Sequence, residues 1–148
     1  MKIGVAQLSS NDDIQKNFNQ IKGLIVDSLS EKPEVICFPE NSLYMRIDPN
    51  DKVKALSLDD KIITEFKELC AKTQIAIHLT TAIQDDKKIF NASVLIDTQY
   101  NAQIVYRKIH LFDIELSGEK PQRESDVFSS GAGPSVFVLN RNDRNIFV

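Results

Sequence analysis

Val35-Ile36-Cys37-Phe38-Pro39-Glu40 is the stretch on which the fold class turns. Its four consecutive apolar residues, set between Pro33 and Pro39, show no alternation and are too few for a helix; they read as a strand buried on both faces. Upstream, Ile14, Phe18, Ile21, Ile25 and Leu29 recur at steps of three and four, which places them on one helical face, with Asp13, Lys16, Asn19 and Lys22 elsewhere. This predicts an amphipathic helix lying against a sheet, its pattern stopped by Pro33. Before it, the run 2–8 is rich in Ile, Val and Leu and reads as a first strand closed by Ser9, Ser10 and Asn11.

Downstream, 41–56 has no sustained period and contains the turn-favouring Asp48, Pro49, Asn50 and Asp51, so it reads as a loop. Ser57 and Asp60 suggest a capping box for a second helix, with Ile62, Phe66, Leu69 and Cys70 on its apolar face and its end near Thr73. Runs 75–83 and 89–97, joined by a charged connection, predict a hairpin, and 102–106 a further strand after the turn at Tyr100 and Asn101. From 107 to 133 the pattern weakens into a long loop, a length that is unusual unless it serves a function. Two more strands are expected at 136–139 and 145–148. The order β, α, β, α and then several strands suits a single α/β layered domain over 1–148 with helices on one face.

The totals bound the function. A chain of 148 residues, 42% hydrophobic and 26% charged, has the profile of one globular domain. A net charge of −3 without a dense basic run gives no footprint for nucleic acid or anionic membrane, which leaves small molecules as the expected partners. No apolar stretch is longer than a strand, and Met1 is followed by a strand-like run rather than a leader core, so the chain reads as cytoplasmic. The two cysteines, Cys37 and Cys70, are too few for a disulfide framework and read as free thiols. Both lie in apolar patterns that do not suit an activated thiolate. His78 and His110, each alone in apolar surroundings, read as structural.

Three residues could carry chemistry. Glu40 stands at the C-terminal end of a buried strand, the edge where open α/β sheets place ligand-binding groups, and a half-buried carboxylate there suits a general base. Lys108 follows a strand at the mouth of the long loop, where an ammonium can stabilise a developing oxyanion; its neighbour Arg107 should face the other side. Glu124 lies in the same loop and could hold Lys108 charged and oriented. Spacing alone favours an exposed loop carboxylate for Glu40 and a solvated loop for Glu124, and leaves Lys108 open between a pocket and water.

As a set, these segments resemble the nitrilase superfamily of carbon-nitrogen hydrolases. The resemblance runs through residues 2–7, Phe38-Pro39-Glu40, Phe90-Asn91, Tyr106-Arg107-Lys108-Ile109-His110-Leu111-Phe112-Asp113 and 124–131, in the family's order. It implies a part of a four-layer αββα sandwich, with Glu40 as general base, Lys108 as oxyanion stabiliser, Glu124 as supporting glutamate and a cysteine as nucleophile. It also implies no metal or organic cofactor, a small amide as substrate and a homodimer. Ser130 stands where proline is common, and the turn at Tyr100 and Asn101 lacks the usual glycine. The family's cysteine follows a strand like 145–148, so the chain is expected to stop before its nucleophile and to be inactive as it stands. The wording of 106–118 most resembles the omega-amidase and deaminated-glutathione amidase branch, which acts on short dicarboxylic monoamides. Two alternatives remain open: a noncatalytic binding module built on the same sheet, or an unfinished sheet that assembles through its edges.

Overall fold

The structure, a computed structural model, describes residues 1–48, 50–115, 117–118, 121–141 and 144–147. Its centre is a five-stranded mixed sheet in the order β1-β2-β3-β4-β5, formed by Ile3–Val5, Val35–Cys37, Ala76–Asp85, Lys88–Ile96 and Ala102–Arg107. The first three strands run parallel, and β3, β4 and β5 form an antiparallel meander. The parallel pairs require crossovers. Helices α1 (Ile14–Asp27) and α2 (Lys61–Thr73) supply them.

Both helices lie on the same face. Ile36, Ile77, Leu79, Ile83, Val94 and Ile96 point from the sheet into one core with Phe18, Ile21 and Ile25 of α1 and Ile63, Phe66 and Cys70 of α2. The rings of Phe18 and Phe66 meet edge to face at 4.7 Å, joining the helices to each other as well as to the sheet. Each such fully buried side chain contributes roughly 1.5–3 kcal/mol of apolar burial. The opposite sheet face is thinly covered. A small cluster of Val35, Ala76, Leu95 and Val105 lies there, His78 stacks on Phe137 at 5.8 Å, and at the β1 edge Val5 is 86% exposed.

Several details differ from the pattern-based reading. Helix α1 ends at Asp27, well before Pro33, because the Ser28 hydroxyl and N–H both bond back to the last turn; Leu29 then falls in a 3₁₀ turn and is exposed. At α2 the expected capping pair forms across the turn 57–60 ahead of the helix, where the Ser57 hydroxyl accepts the Asp59 N–H at 3.2 Å. Asp60 is itself the N-cap, and its carboxylate accepts the Ser57 N–H at 2.7 Å. In the turn before β5, which lacks the usual glycine, Tyr100 takes the left-handed conformation (φ 71°) and the Asn101 amide donates to Asp97 at 3.0 Å. The segment 107–133 contains a short ribbon, β6 (Asp113–Ile114) with β7 (Gln122–Arg123), and a 3₁₀ turn at Glu124–Asp126. The last strands, β8 (Val138–Arg141) and β9 (Arg144–Phe147), pair with each other outside the main sheet; Val148 lies outside the described residues.

The loop 41–56 is held rather than free. Ser42 N–H donates to Thr80 O at 3.0 Å, Leu56 N–H to Ala82 O at 2.9 Å and Gln84 N–H to Leu56 O at 2.8 Å, so both its ends are tied to β3. Buried Asn17 of α1 donates to Leu43 O at 2.9 Å and adds a second tie near its start. This pinning turns an irregular segment into a fixed wall beside the C-terminal end of β2.

Candidate active site

The parallel ladder of β2 carries on for one residue, with Phe38 N–H donating to His78 O at 2.8 Å, and stops at Pro39, which has no N–H to give. Glu40 follows at once. Asn41 then takes a left-handed conformation (φ 55°), tolerated by asparagine, and the chain turns away with Glu40 at the corner. Lys108 arrives from the other side. A β-bulge between Ser93 and Val94 leaves Val105 as an extra residue in β5 and re-aims the end of that strand. Lys108 N–H then donates to Asn91 O at 2.8 Å, and its own carbonyl accepts Gly131 N–H at 2.9 Å, so its backbone is gripped on both sides. Gly131 fits because it has no side chain: a Cβ there would lie 2.2 Å from the Arg107 carbonyl oxygen. Ser130, in the position the resemblance associates with proline, donates from its hydroxyl to Ile109 O at 2.6 Å.

The three singled-out residues meet. Lys108 Nζ lies 2.9 Å from Glu40 Oε1 and 2.9 Å from Glu124 Oε2. Arg107 faces the other way, over the Phe90 ring and paired with Asp85. Glu124 is the more enclosed carboxylate, with 14% of its side chain exposed against 50% for Glu40. Its Oε2 also accepts the Phe112 N–H at 2.7 Å. The ribbon positions it, since Ser125 donates from both its N–H and its hydroxyl to Asp113 across the loop.

Asn91, on β4, joins the two carboxylates: its Nδ2 donates to Glu40 Oε1 at 2.6 Å and to Glu124 Oε1 at 3.0 Å. Burial works to raise the Glu124 pKa, but the Asn91 amide, the Phe112 N–H and Lys108 together outweigh it and hold the carboxyl below its usual range. For Lys108 burial acts downward, and the two glutamates reverse that and keep it charged above its ordinary range. The site at neutral pH is therefore a charged cluster around one ammonium.

It opens into a cleft of about 640 Å³ whose walls include Tyr44, Arg46 and Ile47 from the pinned loop and Phe112, Arg123 and Phe128 from the long loop. Neither cysteine lines it. Cys70 is on the buried face of α2, donates its thiol to Ile96 O at 3.5 Å and has its pKa pushed up to about 12 by burial. Cys37 is half-buried on the opposite sheet face beside His78, and burial raises its pKa too. His78 is likewise pushed down by burial and, stacked on Phe137, stays away from the cluster. Among the described residues no group of three or more His, Cys, Asp or Glu is placed to hold a metal ion. Arg46 is a site residue that the sequence pattern does not indicate, and Asn91 enters there only within the Phe90-Asn91 pair of the resemblance, without a role. For Asn91 the available signal was an amide interrupting an otherwise apolar strand.

The family model for carbon-nitrogen hydrolases matches residues 2–142. The chain belongs to the carbon-nitrogen hydrolase family. Among curated members it is 27% identical over 141 residues to deaminated glutathione amidase of Dictyostelium discoideum, covering 88% of this chain and 48% of that protein. The crystal structure of the C. elegans NitFhit protein superposes with a TM-score of 0.76 at 27% identity, covering 88% of this chain and 33% of that one. An amidase from Nesterenkonia sp. AN1, with acrylamide added at its active-site cysteine, superposes with a TM-score of 0.75 at 17% identity and shares the fold. Its coverage is 99% of this chain and 56% of that one. This carbon-nitrogen hydrolase chain thus spans about half or less of the length of these relatives. Its α/β fold is that of the nitrilase superfamily.

Proposed function

We propose that this chain carries the base and the oxyanion-stabilising cation of a cysteine-dependent amidase that cleaves linear, non-peptide amides. The observation that carries the reading is Lys108 Nζ at 2.9 Å from both Glu40 and Glu124, at the floor of a cleft of small-ligand size. Glu40 Oε1 is taken by Lys108 and Asn91, while Oε2 accepts no hydrogen bond among the described residues and is free to take a proton. In this reaction Glu40 receives the thiol proton and the thiolate attacks the amide carbon. The carbonyl electron pair moves to oxygen beside Lys108, and the amine leaves with the proton that Glu40 returns. Water, deprotonated by Glu40, then cleaves the thioester and releases the acid. Glu124 orients Lys108 throughout. The thiol has to come from residues other than Cys37 and Cys70, which both lie outside the cleft.

The substrate class follows from Arg46, which lines the cleft and makes no ion pair among the described residues. A guanidinium at the wall suits a carboxylate at the far end of a short amide, the chemistry of a dicarboxylic monoamide. Arg46→Met is expected to raise KM for such an amide roughly 10–100-fold, the range of one lost charge-assisted hydrogen bond, with kcat little changed. An equal loss on an uncharged amide of the same length would remove this assignment.

The direct test measures ammonia release from a short dicarboxylic monoamide by the native protein containing this segment. Glu40→Gln should lower the rate roughly 10²–10⁴-fold. Unchanged turnover in that variant would defeat the reading. Free thiols at Cys37 and Cys70 fit a reducing compartment, so a cytosolic location is part of the same proposal. Among the described residues no helix is long and apolar enough to cross a membrane. A second reading, a noncatalytic binding module, draws on the exposed apolar edge at Ile3 and Val5 and on the absence of either cysteine from the cleft. Thiol labelling separates the two, since the hydrolase requires one fast-reacting cysteine in the native protein.

A further inference from the structure

We infer that Asn91 is the positioning residue of this site, its one amide nitrogen holding Glu40 and Glu124 in place so that a single lysine serves both. The role rests on the amidase reading; the geometry beneath it does not. Two carboxylates on one ammonium repel each other, and the less costly outcome would be for one of them to take up a proton. The Asn91 side chain prevents this by giving one N–H to each, at 2.6 and 3.0 Å, while its backbone carbonyl fixes the Lys108 N–H at 2.8 Å. One residue therefore sets the place of all three charged groups. They reach it from separate elements: Glu40 from the end of β2, Lys108 from the end of β5 and Glu124 from the 3₁₀ turn. On its fourth side Asn91 is paired in register with uncharged Ala82 of β3.

The cost of the arrangement argues that it is kept for the site. Asn91 is 3% exposed, and its Oδ1 is buried without a hydrogen-bond partner among the described residues. The reverse orientation would aim that oxygen at two carboxylates, so the amide cannot turn to relieve it. A buried acceptor left unpaired weakens a fold by about as much as a lost hydrogen bond, and an apolar residue of the same volume would avoid the penalty. Fold stability alone would favour leucine in this strand. The two donors aimed at the carboxylates are what leucine lacks.

The test follows the Glu124 side-chain carboxyl by carbon NMR in this chain as pH is lowered, with its resonance assigned through Glu124→Gln. In Asn91→Leu the Glu124 midpoint should rise by about one pH unit, a tenfold gain in proton affinity. In Asn91→Asp it should rise further, since a third carboxylate replaces the two donors. Where Asn91→Leu does not fold, Asn91→Ser takes its place and should give a rise in the same direction. Native-like amide spectra with an unmoved midpoint in the folded variants would overturn the inference. The readout needs no turnover: a shifted midpoint here, with no amide hydrolysis by the native protein containing this segment, leaves the positioning role standing and removes the amidase reading. Hydrolysis with an unmoved midpoint does the reverse.

Discussion

On the proposed function, Lys108→Met is expected to slow amide hydrolysis by the native protein roughly 10²–10³-fold, the usual cost of removing one group aimed at a developing oxyanion. Methionine keeps most of the buried stem, so the loss isolates the charge. It should fall on kcat and kcat/KM together, because an ammonium acting on the oxyanion is felt in the transition state rather than in the bound substrate. The variant also changes the response to acid. In the wild type the Glu124 carboxyl is held below its usual range, so its contribution to stability is present above the ordinary glutamate range and is lost as pH falls through the folded-state value. Lys108 is held above its usual range; its contribution is present below the ordinary lysine range and is lost as pH rises through the folded-state value. Removing the lysine abolishes the alkaline limb and moves the acid limb upward. Urea melts across pH in which Lys108→Met keeps the alkaline limb and leaves the acid limb unmoved would show that the cluster does not form in solution.

Phe66→Ala should cost about 3–5 kcal/mol, the usual range for deleting a buried aromatic. Domains of this size are stable by only about 5–15 kcal/mol, so the variant stands near the edge of folding. Phe66 has no exposed surface, lies at the centre of the core beneath the sheet and is the ring through which α2 meets Phe18 of α1. The void cannot close readily, because the parallel strands above it and the two helices beside it are joined to one another by register and by this contact. Leu29→Ala, also a large-to-small change but on an exposed 3₁₀ residue, serves as the control and should shift stability by less than about 0.5 kcal/mol. Equal urea midpoints for the two variants would contradict this account of the core.

These two sites differ in how far they could be read from sequence. Phe66 was visible because burial on one helical face leaves a period, and the same period located Ile21, Ile25 and Cys70. Leu29 fitted that period and still lies outside the core, because Ser28 closes the helix with its own hydroxyl and the chain leaves the helical path. The capping pair is displaced for a related reason: Asp60 adopts the extended backbone of a cap while its carboxylate still reaches back to Ser57, so the helix starts after Asp60 rather than after Ser57. Ribbon strands of two residues, as in β6 and β7, are too short to leave any period. Within the site, Glu40 and Lys108 could be found because strand ends are where a sheet offers side chains to a ligand. Asn91 lies inside a strand whose neighbours are apolar, and nothing local indicates that its amide spans two carboxylates. Arg46 stands in a loop whose shape comes from hydrogen bonds to β3 and Asn17, which no local pattern encodes.

The distances along the chain between the partners carry a consequence for how the molecule is made. Glu40 meets Asn91 across 51 positions and Lys108 across 68, whereas β3, β4 and β5 follow one another through short turns. Closing long segments loses more chain entropy than forming a hairpin, so the meander that carries Asn91 and Lys108 can order first, with the parallel strands joining afterwards. During that interval the lysine has no glutamate from β2 beside it. The charged cluster is thus among the last features to be completed as the chain folds, and a molecule in which it is intact has already brought its two topological halves into register.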